Sequence, residues 1–103
     1  MWLLNAFSAN MLAAFPAQAS FAEISVDEAR ALAPSLTSAV GHADTAAVFG
    51  AVLGHPVAVN RASVSLRAGD VAVLGQYRGP RLPEGATTLP AGATIQWLRV
   101  TIA

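Results

Sequence analysis

Two apolar runs of this chain each end in a polar cluster that leads into the start of a helix. The run Trp2–Leu4 is followed by the cluster Asn5–Asn10, and the run Leu36–Val40 is followed by Gly41 and His42. Strands that open into helix starts are typical of α/β domains, which build ligand sites at these junctions. Helix N-termini at such junctions offer free N–H groups that suit phosphate. The pattern therefore predicts an α/β domain with an anion site at its strand ends.

The composition limits the class of protein and of chemistry. A chain of 103 residues has the usual size of one domain, so we expect residues 1–103 to fold as a unit. The 54% hydrophobic content and 12% charged content favour a two-fold homodimer that covers part of the surface. There is no cysteine and there are only two histidines, which disfavours a zinc site, and we expect neither a metal nor a cofactor. Zero net charge disfavours binding to long nucleic acid.

The first residues could be mistaken for a leader sequence. Residues 1–19 are largely apolar and end in Ala-Gln-Ala, a sequence similar to a signal-peptidase site. However, no Lys or Arg occurs before Arg30, and Pro16 and several polar residues interrupt the apolar region. We therefore interpret residues 1–4 as the first strand of the domain. The sequence contains no run of about 18 apolar residues, so it predicts no transmembrane helix, and we expect no membrane partner.

The chain alternates between strand-like and helix-like segments. Ser25 and Glu28 form a capping-box pattern, and Gly54 supplies the left-handed residue that ends a helix. Strands are predicted at 1–4, 18–24, 36–40 and 95–102, with an extended segment at 57–59 and a hairpin formed by 62–66 and 71–77. Helices are predicted at 8–14, 25–33 and 46–53. The last helix is predicted to be capped by Asp44 or Thr45. The prediction is one small domain with a mixed β-sheet of about five strands flanked by helices.

Charged residues are distributed unevenly along the chain. Four arginines and one acid lie between positions 61 and 81, which gives this stretch a local positive excess. Together with His42 as a proton-transfer group, they indicate a phosphodiester site. Structural alternatives stay open: Ser8 and its neighbours cap a helix, His42 is a turn residue, and Arg81 pairs with Glu84.

These motifs together resemble a known family. The matching segments are Leu4–Leu12 with its Asn-Ala-Phe-Ser-x-Asn pattern, the Val-Gly-His sequence ending at His42, the Asn60-Arg61 pair, Gln76, and the Arg-Leu-Pro-Glu-Gly turn that begins at Arg81. They occur in the order and spacing of the viral ring nucleases, which are type III anti-CRISPR enzymes that cleave cyclic tetra-adenylate. The resemblance implies this cyclic RNA as the substrate, a homodimer, and the cytoplasm as the location, that of the host cell if the protein is viral.

The resemblance also implies roles for individual residues. His42, Arg81 and Glu84 are the expected catalytic residues. The expected substrate-binding residues are Asn5, Ser8, Asn10, Asp44, Arg61, Gln76 and Arg78. The chain departs from the family at residues 43–45, which read Ala-Asp-Thr where relatives have an acid and then Ser-Thr. One additional residue between Gln76 and Arg81 makes Arg78 an alternative to Arg81 for the catalytic arginine, and the C-terminal region is shorter than in relatives.

The chemistry follows from the substrate class. Each linkage of a cyclic oligoadenylate has an adjacent 2′-OH, so cleavage needs in-line attack, stabilisation of the phosphorane charge, and protonation of the leaving 5′ oxygen. Arginine and backbone N–H groups serve the second need without a metal, and histidine serves the third. The expected products are linear di-adenylates with a 2′,3′-cyclic phosphate. The rival functions are a non-catalytic module that sequesters cyclic oligoadenylate or RNA, and a structural protein of a virus.

Overall fold

The short N-terminal strand is buried inside the molecule. In this strand the neighbouring side chains Leu3 and Leu4 point to opposite faces, yet both are almost completely buried. The computed structural model, which describes all 103 residues, explains this by a five-stranded sheet that is covered on both faces. The elements, in chain order, are β1 (Trp2–Leu4), β2 (Ala19–Ile24), α1 (Val26–Leu32), β3 (Thr37–Ser38), α2 (Ala43–Leu53), β4 (Val71–Arg78) and β5 (Thr94–Ile102).

The sheet is mixed and has the strand order β2-β5-β4-β1-β3. Strand β1 pairs in parallel with both β3 and β4, whereas β5 pairs antiparallel with β4 and β2. The predicted α/β class, with about five strands in a mixed sheet, is confirmed. Because β1, β3 and β4 run in the same direction, the segments that follow them leave the sheet at one common edge.

Each face of the sheet has its own apolar layer. Leu3, Val73 and Trp97 pack under α1 and α2, where Phe49 and Leu53 complete the core. The opposite face is formed by Leu4, Leu74, Val100 and their neighbours, and the irregular segments around Met11 and Leu66 cover it. The period-2 alternation of a strand divides these two sets. Neither helix has the length and apolar composition that crossing a bilayer requires.

The helix ends follow the capping rules that the sequence contains. The Ser25 side chain accepts a hydrogen bond from the Glu28 N–H at 3.1 Å, which confirms the predicted N-cap of α1. Helix α2 ends at Gly54, whose φ of 65° is left-handed as predicted. However, α2 begins at Ala43 with His42 as its N-cap, so the predicted start at residue 46 with Asp44 or Thr45 as the cap is wrong. Asp44 lies instead in the first helical turn, where a carboxylate is favourable.

Two predicted elements are shorter than expected. The helix predicted at 8–14 is a single 3-10 turn at Ala9–Met11, because Leu12 turns to an extended conformation and bridges Leu66. The strand predicted at 36–40 consists of Thr37–Ser38 alone. It ends there because the Ser38 hydroxyl accepts a hydrogen bond from the Val40 N–H at 3.1 Å and turns the chain.

The predicted hairpin of 62–66 and 71–77 does not form. Strand β4 is an inner strand of the sheet, and its two edges are occupied by β1 and β5. Residues 62–66 therefore have no edge of β4 to pair with, and Leu66 forms its bridge to Leu12 instead. Residues 57–59 form no strand either.

The close packing around Gly75 predicts that a larger side chain at this position destabilises the protein. A Cβ atom on Gly75 would lie 2.6 Å from Trp97 Cζ3 and 2.7 Å from Phe49 Cε2. These rings already contact each other edge to face, with centroids 5.1 Å apart. We expect Gly75→Ala to lower the free energy of unfolding in urea by about 1–3 kcal/mol through overpacking. Val59→Ala, at an exposed position, is the control and should change it little. Equal stability of the Gly75→Ala protein and the wild type would contradict this packing.

Candidate functional site

An open cavity of about 1040 Å³ lies where the parallel strands end. One wall is the start of α2, and the other is the segment that follows β4. Its lining residues are His42, Asp44, Thr45, Tyr77, Gly79, Arg81, Leu82, Pro83 and Glu84. The three residues expected to be catalytic, His42, Arg81 and Glu84, are therefore brought to one cavity, although His42 and Arg81 are 39 positions apart in the sequence.

The His42 side chain is available to a ligand. It is exposed, and at the N-cap of α2 it forms no side-chain capping hydrogen bond. Its backbone carbonyl accepts the first hydrogen bond of the helix, from the Ala46 N–H at 2.9 Å, so the backbone is fixed while the imidazole is not. The position beside a helix N-terminus places the imidazole where free N–H groups and the positive end of the helix dipole attract an anion.

Arg81 and Glu84 lie on one irregular segment but form no ion pair with each other. The one ion pair of the chain joins Arg30 to Asp27, on the exposed side of α1. The alternative in which Arg81 and Glu84 neutralise each other is thus not found in the structure. Both side chains are exposed at the cavity and free to meet a ligand.

Arg61 is attached to the backbone immediately before His42. Its Nε donates a hydrogen bond to the Gly41 carbonyl at 3.0 Å. The neighbouring Asn60 donates from its side chain to the Ser38 carbonyl at 2.7 Å, and its own N–H donates to the Val40 carbonyl at 2.8 Å. These bonds fix an otherwise irregular segment along β3. They bring a guanidinium from a distant part of the chain to the strand end that precedes His42.

The polar cluster after β1 lies outside the cavity lining, because the chain crosses the sheet there: Phe7 packs edge to face on Phe21 of β2, with ring centroids 5.4 Å apart. Asn5, Ser8 and Asn10 are all exposed. The Ser8 hydroxyl accepts a hydrogen bond from the Asn10 N–H at 3.3 Å, so Ser8 caps the short 3-10 turn. The capping role that the sequence left open is therefore found, and Ser8 and Asn10 are not brought to the cavity with His42 and Arg81.

Gln76 and Arg78 are not part of the cavity lining. Both donate to the Gln96 side chain, at 3.2 and 3.1 Å, and Gln96 in turn donates to Glu23 at 2.7 Å. They form a polar ladder across β4, β5 and β2. Alternation along β4 turns these two side chains away from the face on which Tyr77 lines the cavity. Of the two candidate arginines, Arg81 lines the cavity and Arg78 belongs to the ladder.

Two features of the cavity were not predicted from the sequence. Tyr77 supplies its aromatic wall, and the Tyr77 hydroxyl donates to the Pro80 carbonyl at 2.6 Å. Asp44 accepts a hydrogen bond from the Gly85 N–H at 3.0 Å, which joins the two walls. The alternation of β4 was a usable signal for Tyr77. No local signal was available for the bond between Asp44 and Gly85, which are 41 residues apart.

Comparison with known proteins identifies the family. The profile of the STIV B116-like family matches residues 1–92. The chain belongs to the STIV B116-like family. The structure is similar to that of B116 of Sulfolobus turreted icosahedral virus (STIV), with a TM-score of 0.77 and 28% sequence identity over 97% of each chain. No curated protein sequence matches. The STIV B116-like fold thus includes both walls of the cavity, since the family match spans both α2 and residues 79–85.

The attachment of residues 60–61 generates a prediction about stability. Asn60→Ala removes the donor to the partly buried Ser38 carbonyl and should lower the free energy of unfolding by about 1–3 kcal/mol. Asn60→Asp should lower it further, because a carboxylate cannot donate to a carbonyl and repels it. Asn10→Ala, at an exposed position, is the control, and thermal unfolding is the measurement. If Asn60→Asp is as stable as the wild type, Asn60 does not hold the Arg61 segment.

Proposed function

We propose that this protein is a ring nuclease that cleaves cyclic tetra-adenylate to linear di-adenylates ending in a 2′,3′-cyclic phosphate, without a metal ion, and so switches off type III CRISPR signalling. The observation that supports this most is the single cavity lined by His42, Arg81 and Glu84. Its volume of about 1040 Å³ is that of a large small-molecule pocket, and in a two-fold dimer two such cavities would share the ring.

Each of the three side chains has a role in the proposed reaction. The ribose 2′ oxygen attacks the adjacent phosphorus as the bond to the 5′ oxygen breaks, and Glu84 accepts the 2′-OH proton. Arg81 stabilises the charge that develops on the phosphoryl oxygens. His42, in its protonated form, gives its proton to the departing 5′ oxygen, which leaves as a hydroxyl. The products are a 2′,3′-cyclic phosphate and a 5′-OH end.

The remaining polar residues of this edge would bind the ring outside the reacting linkage. Arg61, attached to Gly41, adds a positive charge beside His42. Asn5 directly follows β1, the strand between β3 and β4, so it lies at the middle of the same edge, whereas Ser8 and Asn10 come after Phe7, which packs on β2. A ring placed across the edge would meet the Asn5 amide on one side and the cavity on the other.

We further propose that the protein acts as a two-fold homodimer. One chain offers one His42, whereas the ring has four equivalent linkages, and a two-fold axis through the ring would allow two opposed cuts. The exposed apolar side chain of Val59, next to the Asn60-Arg61 pair, is available for contact between copies at this end of the sheet. Light scattering at micromolar concentration tests the stoichiometry, and a monomer with full ring-cleaving activity would exclude the shared site.

The direct experiment is incubation of the protein with cyclic tetra-adenylate in excess EDTA, followed by separation of the products. A ring nuclease of the proposed kind yields linear di-adenylate with a 2′,3′-cyclic phosphate. Tight binding of the ring without turnover would replace this proposal by sequestration of the messenger. If the protein neither binds nor cleaves the ring, a structural role in a virus is the remaining function.

His42→Ala should reduce the single-turnover rate by about 100- to 10,000-fold, because the leaving oxygen loses its proton donor. The affinity for the ring should change little, since the phosphate-binding residues are retained. His55→Ala is the matched control, because His55 lies outside this cavity beyond the opposite end of α2. A His42→Ala protein that cleaves at the wild-type rate would rule out His42 as the acid.

Arg81→Ala should lower the rate of the chemical step by about 100-fold or more, as the loss of one charge-stabilising donor does in other enzymes. Arg99→Ala, at an exposed position on β5, is the control and should have little effect. Single-turnover kinetics under saturating protein separate this effect from binding. An inactive Arg78→Ala protein beside a fully active Arg81→Ala protein would assign the catalytic role to Arg78 instead.

A further inference from the structure

The segment that contains Arg81 and Glu84 is attached to the rest of the domain near both of its ends. Near its start, the Tyr77 hydroxyl donates to the Pro80 carbonyl at 2.6 Å. At its end, the Gly85 N–H donates to the Asp44 carboxylate at 3.0 Å. The first attachment joins the segment to β4, and the second joins it to α2.

The second attachment depends on a specific turn. The Ala86 N–H donates to the Pro83 carbonyl at 3.0 Å, which closes a four-residue turn. Gly85 is its third residue and has a φ of 78°, as a type II turn requires at that position. The hydrogen bond of the turn does not use the Gly85 N–H, which is therefore free to donate outside the turn. Its acceptor is the Asp44 carboxylate.

Asp44 is well placed to be this acceptor. It lies in the first turn of α2, where the helix dipole favours a negative side chain. A hydrogen bond to a charged acceptor is about twice as strong as one between neutral groups. His42 is two residues earlier in the chain and is the N-cap of the same helix. The bond thus connects the segment of Arg81 to the element of His42.

We propose that Asp44 is a positioning residue, which holds the segment 79–85 against the N-terminus of α2 and so sets the separation between Arg81 and His42. The proposal rests on the proposed function for its effect on cleavage, but the hydrogen bond itself does not. This positioning role replaces the direct contact with the substrate that was expected of Asp44. A carboxylate facing the phosphates of the ring would repel them, whereas one engaged by Gly85 N–H serves to orient the arginine.

Amide exchange in the free protein tests the attachment without any reference to activity. In Asp44→Ala, the exchange rate of the Gly85 N–H, measured by NMR, should rise by about 10-fold or more. Asp44→Asn should preserve slow exchange, because its amide oxygen can accept the same bond. Asp70→Ala is the matched control: Asp70 also accepts a backbone N–H in an exposed turn, that of Arg67 at 2.8 Å, and lies outside the cavity. Unchanged Gly85 exchange in Asp44→Ala would overturn the proposal.

Cleavage kinetics then separate positioning from substrate contact. Asp44→Ala should lower kcat by about 10- to 100-fold with a smaller change in KM, because a displaced arginine affects the transition state most. Asp44→Asn should recover most of kcat and bind the ring at least as tightly, since one negative charge is removed. A rise in KM at constant kcat, or an Asp44→Asn protein as slow as Asp44→Ala, would overturn the proposal. If the wild type does not cleave the ring, the proposed function fails, while Gly85 exchange still decides whether Asp44 holds the segment.

Discussion

The parallel pairing of β1 with β3 and β4 is the constraint on which the site depends. Since the three strands run in one direction, the segments after them leave the sheet at one edge. This brings Asn5 after β1, His42 after β3 and Arg81 after β4 to the same side of the molecule. The two buried layers stabilise this arrangement, because Leu3 and Leu4 of β1 belong to different layers.

The second requirement is that irregular segments at this edge have defined positions. Hydrogen bonds from side chains to the backbone serve this purpose: Asn60 and Arg61 bind the carbonyls of Ser38 and Gly41, and Asp44 binds the Gly85 N–H. Such bonds cost the chain conformational entropy. In return they fix the backbone segments that carry His42, Arg81 and Glu84 in a small domain that has few regular elements at its site. A cavity that contains both an arginine and two carboxylates needs this control, since misplaced carboxylates would repel an anionic ligand.

The elements that are determined by neighbouring residues were predicted correctly from the sequence. The Ser25 cap, the end of α2 at Gly54 and the α/β class follow from residue chemistry within a few positions. The wrong hairpin and the overlong first helix reflect long-range pairing, because β5 occupies the edge of β4 and Leu66 bridges Leu12. The site shows the same division. The strand-end positions of Asn5 and His42 were readable, whereas the bond between Asp44 and the Gly85 N–H joins residues 41 positions apart and had no local signal.

Proton donation by His42 is tested most directly with cyclic tetra-adenylate in which sulfur replaces each leaving 5′ oxygen. A thiolate leaves without a proton, so this substrate does not need a general acid. With the natural ring, His42→Ala should cleave about 100-fold or more slowly than the wild type. With the sulfur-substituted ring, His42→Ala should cleave at close to the wild-type rate, whereas Arg81→Ala should remain slow. An equal defect of His42→Ala on both substrates would contradict proton donation by His42 in this cavity.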